Sequence, residues 1–202
     1  PAIADFAPYA PSGGEFAAFL GAPVEAGGRT LGVVALQIPT GPINAIVQRR
    51  DGMGETGETY LVGRHQGTTA FRSDMTTMGD GQYVIGHPIS TPYIEAALDG
   101  RTDHDVFADS AGRLVMVSYT PLQIRGLEWA CVSKIDLEEA IVPQLGSGQD
   151  DYFAQYIDKY GYYDLFLIDP SGQAFYTVCR EADYCTNLVD GKYSSSNLGH
   201  LV

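Results

Sequence analysis

GETYLVGRHQGTTAFRS, residues 57–73, holds two short runs of β-branched, aromatic and aliphatic residues parted by Arg-His-Gln-Gly. Such a pattern predicts a strand, a tight turn and a second strand. YYDLFLIDPSGQAFYTV, residues 162–178, repeats the layout about 100 residues later: Tyr60-Leu-Val-Gly is answered by Phe166-Leu-Ile-Asp, and the Asp-Pro-Ser-Gly turn is preset by its proline. A second pair recurs at nearly the same interval, LGVVALQI (31–38) running into a short helical stretch and LEWACVSKI (127–135) running into LEEAIV. Self-similarity at one spacing points to modules of about 100 residues.

EFAAFLGAPV (15–24) and RTLGVVALQIP (29–39), separated by Glu-Ala-Gly-Gly, predict a hairpin of buried strands, whereas the prolines and glycines of DFAPYAPSGG (5–14) predict irregular chain. TGPINAIVQRRDG (40–52) predicts a short helix capped by Thr40, with Pro42 in its first turn, an apolar stripe of Ile43, Ile46 and Val47, and a stop at Gly52. Residues 92–100 carry a further helix with a glycine stop, and HDVFAD, RLVMVSYTPLQI and LEWACVSKID give three strands. LEEAIVPQ (137–144) and SGQDDYFAQYIDKYG (147–161) return to helix, the second capped by Ser147 with Tyr152, Phe153, Tyr156 and Ile157 on one face. DGKYSSSNLGHLV (190–202) reads as a loop entering a helix.

The order of the pieces matters. A complete unit runs from about Gly41 to Val142; the stretch before it matches only the closing strands of such a unit, and the stretch after it only the opening helix and hairpin. The two halves can complete each other within one chain, as in a circular permutant, or between neighbouring copies in an array.

Composition narrows the function classes. The 202 residues are 45% hydrophobic and 18% charged, which favours a folded chain, and the net charge of −13 makes nucleic acid and anionic membranes poor partners. No stretch approaches the apolar length of a membrane span, and PAIADFAPYA lacks the basic and apolar regions of a signal peptide. Cys131 stands alone; Cys179 and Cys185 are either a disulfide closing a short loop in an oxidising compartment or two unrelated thiols. There is no G-x-S-x-G elbow, DGMGETGE lacks the Lys-Ser/Thr of a phosphate loop, and His65, His87, His104 and His200 show no i, i+4 pairing. No enzyme, metal or cofactor is therefore expected. With 13 tyrosines against 8 phenylalanines and 1 tryptophan, a pocket of rings and hydroxyls is the better expectation.

GMGETGETYLVG (52–63) followed by FRSD (71–74), DFAPYAPS (5–12), LGVVALQI, and YGYYDLFLIDPSGQAFYTV (160–178) followed by CTNLVDGKYSSSNL (185–198) resemble the extracellular double Cache sensor domains of bacterial chemoreceptors and sensor histidine kinases. The similarity covers most of the chain. In that family GMGETGETYLVG marks the start of the membrane-proximal module, and YGYYDLFLI precedes DFAPYAPS within the distal module; here it follows the proximal one. The resemblance thus implies a permuted order, with residues 1–40 as the C-terminal half of a distal module, 41–143 as a complete membrane-proximal-type module and 148–202 as the N-terminal half of a distal module.

The implied fold is α+β, PAS-like Cache modules in which antiparallel sheets are flanked by helices. The implied pocket lies on one face of the central sheet. In the complete module it would involve Tyr60, Arg72, Tyr83, Tyr93, Asp105 and Tyr119, with Arg72 clamping a carboxylate and Asp105 receiving an ammonium group. In the split module the corresponding residues are Tyr9, Tyr163, Asp164 and Tyr176. The plainer alternative makes each tyrosine a half-buried strand residue and Arg72 a surface ion-pair partner. The expected function is an extracellular or periplasmic, non-enzymatic module of a membrane-anchored parent, sensing a small polar molecule such as an amino acid or carboxylate and signalling by a conformational shift. The alternative is a structural repeat of an extracellular array or filament in which a neighbouring repeat completes the split module, making a homo-oligomer.

Overall fold

The computed structural model describes residues 1–77, 84–109, 112–145 and 151–202. Its strands are β1 (Ala2–Pro8), β2 (Phe16–Ala26), β3 (Arg29–Ile38), β4 (Glu58–His65), β5 (Thr68–Phe71), β6 (Asp103–Ala108), β7 (Leu114–Leu122), β8 (Glu128–Asp136), β9 (Phe166–Ile168) and β10 (Ala174–Thr177). The helices are α1 (Thr40–Val47), α2 (Pro92–Leu98), α3 (Leu137–Ile141) and α4 (Tyr152–Tyr160). This is the α+β class expected from the sequence. Among the described residues no helix is long and apolar enough to cross a membrane.

The strands form three sheets: five strands in the order β5-β4-β8-β7-β6, three in the order β1-β2-β3, and the hairpin β10-β9. Contacts divide the chain into two units, the first made of Pro1–Met53, Gly57–His104 and Val117–Lys134, the second of Gly54–Thr56, Asp105–Met116 and Ile135–Val202.

In the first unit, β4 pairs antiparallel with β5 and with β8, setting Tyr60 opposite Val132, Leu61 opposite Cys131 and Val62 opposite Ala130. The β4–β5 turn has Gln66 and Gly67 at φ 50 and 79, the two left-handed residues of a type I′ hairpin. Val62, Val117, Ala130, Val132, Ile94 and Ala97 are fully buried, so helix α2 and the sheet share one core. Helix α2 forms where the sequence predicts, and the structure adds its cap: the Thr91 side chain accepts from Ile94 N–H at 3.3 Å, with Pro92 in the first turn. Helix α1 begins one residue earlier than expected. Thr40 is inside it rather than capping it, and Ile43 and Val47 pack against Phe6, Leu61 and Trp129 while Ile46 stays exposed.

The β2–β3 hairpin forms where predicted but not as buried strands, since β3 is exposed up to half-buried Ile38, and the DFAPYAPSGG stretch is not the irregular chain expected. Its first residues are strand, because β1 finds backbone partners along β2 from Ala2–Gly21 to Pro8–Phe16, and only Ala10–Ser12 turn. A register shift between Ala4 and Ala7 breaks the alternation and buries Asp5 and Phe6 in succession.

In the second unit, Asp151 caps α4 by accepting from Ala154 N–H at 2.9 Å, and Gly161 at φ 72 ends it. The predicted cap, Ser147, lies outside the described residues. Ile157, Ala174, Tyr176 and Leu188 form the buried centre of this unit. The β9–β10 turn is held by Asp169, whose Oδ1 accepts from the N–H groups of Ser171 and Gln173 at 2.9 and 2.8 Å. The expected C-terminal helix is absent: residues 190–202 make successive turns, with bonds such as Ser194 N–H to Gly191 O and Ser196 N–H to Tyr193 O. A run of serines, whose hydroxyls compete for the backbone, suits such turns better than a helix.

Candidate functional site

Tyr60 on β4 is 1% exposed and lies 5.6 Å from Phe71, ring centre to ring centre. Tyr93 on α2 adjoins it and lies 6.3 Å from buried Tyr119 on β7. Three of the expected tyrosines are thus gathered where α2 meets the sheet. Burial pushes the Tyr60 phenol well above its ordinary value, and the neighbouring Tyr93 and Glu58 push it further. Glu58, two residues along the same strand face, is held by Lys134 at 3.0 Å and by the Thr77 hydroxyl at 2.8 Å.

Arg72 clamps a carboxylate from two sides, but the carboxylate is that of Asp5. Its Nε and Nη2 donate to Asp5 at 2.8 to 3.1 Å, its Nη1 donates to the carbonyls of Ala70 and Phe71, and both charged side chains are 3% exposed. Trp129 Nε1–H donates to the same carboxylate at 2.9 Å. Gly63 makes this approach possible, since a Cβ there would lie 2.6 Å from Trp129 Cδ1 and 2.9 Å from Arg72 Nε. Arg72 is therefore neither a surface ion-pair partner nor a free clamp.

Its neighbours are equally engaged. Ser73 Oγ accepts from Leu61 N–H at 2.8 Å; Asp74 accepts from Asn44 Nδ2 at 2.7 Å and from Val84 N–H at 2.9 Å. The Phe-Arg-Ser-Asp motif thus ties β5 to β1, β4 and α1. The sequence flagged the motif; its partners Asp5 and Asn44, distant in sequence, carried no local signal.

The other expected residues fall apart. Asp105 belongs to the second unit, is exposed, and accepts from Val106 N–H at 2.8 Å; Tyr83 lies outside the described residues. Tyr9 stands 4.9 Å edge-on to Phe19 in the first unit. In the second unit Tyr163 is 76% exposed and donates to Glu181, whereas Tyr176 is buried against Phe153 at 5.6 Å and donates to both Asp151 oxygens at 2.8 and 2.7 Å. Burial, and then Asp151, raises the Tyr176 phenol above its ordinary value. Asp164 Oδ1 accepts from the N–H groups of Leu165, Val178 and Cys179, while its Oδ2 is buried without a hydrogen-bond partner among the described residues.

Cys179 and Cys185 are separate thiols, so the candidate disulfide is not formed. Cys179 Sγ donates to Tyr163 O at 3.2 Å, and Cys185, at φ 58, bonds its N–H to Ala174 O, which fixes the two residues in different backbone settings. Among the described residues no group of three His, Cys, Asp or Glu could hold a metal ion.

Two cavities of the first unit lie away from the tyrosine cluster. One of about 510 Å³ is lined by Leu98–Gly100, Pro121–Arg125 and Leu127–Trp129; the other, of about 350 Å³, is lined by Asp5, Arg64–Gly67 and Gly126–Glu128.

No family model matches the chain, and no curated protein matches it. Among solved structures it is similar to the extracellular domain of the histidine kinase mmHK1S-Z3, at 18% identity and a TM-score of 0.50 over 69% of this chain and 50% of that one. It is also similar to the ligand-binding domain of the Pseudomonas aeruginosa PAO1 amino acid chemoreceptor PctB in complex with L-Arg, at 18% identity and a TM-score of 0.48 over 69% and 51%. A third likeness is to the ligand-binding domain of the Pseudomonas fluorescens chemoreceptor CtaA in complex with L-leucine, at 14% identity and 0.46 over 69% and 54%. The chain spans about half the length of these solved chains. At such identities the likeness is one of fold alone, an antiparallel α+β architecture.

Proposed function

We propose that the first unit is an extracellular, non-catalytic sensor that binds a small polar molecule, an amino acid or short carboxylate, against the phenols of Tyr60, Tyr93 and Tyr119. The observation that carries this reading is the placement of Tyr60: a phenol 1% exposed, beside a second phenol delivered by a separately capped helix. Hydroxyls on buried rings can both donate and accept, so they orient a polar ligand against an apolar wall. On the same reading, residues 1–40 are a closing half, 41–143 a complete module and 148–202 an opening half. The support is the likeness of the β4–β5 and β9–β10 hairpins and of the two strand triplets. Because β8 runs straight into α3, a shift of the sheet on ligand binding would be passed to that helix.

Thermal-shift screening against the twenty amino acids and a panel of short carboxylates tests the proposal. A ligand at a hundred times its Kd should stabilise the fold by about 2.7 kcal/mol, and Tyr93→Phe should weaken its binding about tenfold. Folded protein that no member of the panel stabilises overturns the reading.

A further inference from the structure

Strand β3 is the outer strand of its sheet, paired among the described residues with β2 alone, and its unpaired side carries an apolar sequence. Leu31, Val33, Val34 and Leu36 are 67, 67, 54 and 60% exposed, so apolar side chains stand in the open on both faces of one strand. A near-continuous apolar run of this kind belongs to a strand covered on both faces and paired on both sides. A long, apolar, unprotected edge is what soluble chains normally avoid. The β9–β10 hairpin has the complementary shortage: among the described residues β9 is paired with β10 alone.

The chain already contains the solution once. In the five-stranded sheet, β8 is flanked by β7 and by β4, and β4 leads on to β5. Strand β3 repeats β8 and β9 repeats β4, so the order β6-β7-β8-β4-β5 predicts β1-β2-β3-β9-β10. The observed pairing of Tyr60, Leu61 and Val62 with Val132, Cys131 and Ala130 supplies the register. We propose that β9 of one copy of this chain adds antiparallel to β3 of a second copy, setting Phe166, Leu167 and Ile168 opposite Leu36, Ala35 and Val34. Charge fits the same direction. The charged residue of β3 is Arg29 at its start, and this register turns Asp169 of the hairpin, rather than Asp164, towards that end. Each copy offers one β3 edge and one β9 edge, a heterologous pairing that closes into rings or extends as filaments. The inference is independent of whether a ligand binds at Tyr60.

Mixing Ala35→Cys and Leu167→Cys chains, both carrying Cys179→Ser and Cys185→Ser, with a short bis-thiol-reactive linker tests the register. Peptide mass spectrometry should find residue 35 of one chain joined to residue 167 of the other, and light scattering of the native chain should show mass rising with concentration. Val34→Lys with Leu36→Lys alters residues exposed in the single chain, so it should leave circular dichroism unchanged while weakening association at least tenfold. A native chain that stays monomeric at high concentration without the 35–167 link overturns the proposal. So does association untouched by the lysines, or a double-cysteine chain that links 35 to 167 within one molecule at high dilution.

Discussion

Strands β8 and β3 carry matching sequences in opposite surroundings. Trp129, Ala130 and Val132 of β8 are between 0 and 6% exposed, whereas their counterparts Val33, Val34 and Leu36 are more than half exposed. The difference lies in what flanks each strand: β8 has β7 and β4, and β3 has β2. Local sequence sets the capacity of a strand to be buried, and its neighbours determine whether that capacity is used.

The contrast can be broken first at the buried ion pair that backs β8. Asp5→Ala leaves Arg72 charged and unpaired in the core and should cost about 3–5 kcal/mol in urea unfolding; replacing both residues with apolar ones should recover most of the loss. Trp129→Ala removes a buried ring and one of the Asp5 donors, for about 3–5 kcal/mol, whereas Val33→Ala at the matching place in β3 should change the stability of the dilute chain by less than about 0.5 kcal/mol. Equal losses at the two sites would erase the distinction. In the second unit, Asp151→Ala removes both the α4 cap and the Tyr176 hydroxyl partner, an expected loss of about 1–2 kcal/mol that Asp151→Asn should largely spare.

The smallest effect at neutral pH, and one that grows with alkalinity, comes from Tyr60. Its phenol is raised in the folded state, so the unfolded chain loses that proton first. The stability it contributes is complete below about pH 10 and declines above it by up to about 1.4 kcal/mol per pH unit. Tyr60→Phe should flatten that part of the alkaline unfolding profile; an unchanged slope would place the phenol in solvent.

The hairpins, strands β6, β7 and β8 and helix α2 were legible in the sequence because alternation, turn residues and a glycine stop are all local signals. Strand β1 was not, since its prolines and glycines resemble a loop until β2 supplies backbone partners. Of the candidate site residues, the structure places Tyr60, Tyr93 and Tyr119 near one another, where β4 and β7 of one sheet meet helix α2. Arg72 was singled out with the right chemistry and without its partner, since a bond between residues 5 and 72 depends on the bulge in β1 and on the bare Cα of Gly63. The cysteine pair did not form because the two residues, close in sequence, take different backbone courses.

The Asp5–Arg72 pair also bears on how the molecule can be dissected. The proposed modules would meet between residues 40 and 41, an obvious point at which to cut the chain for separate expression. A fragment starting at residue 41 would keep the guanidinium of Arg72 and discard the carboxylate that neutralises it, along with Phe6 from the ring stack on Trp129. A cut at that point is therefore poor for autonomous folding, and the first eight residues belong with any piece that retains Arg72.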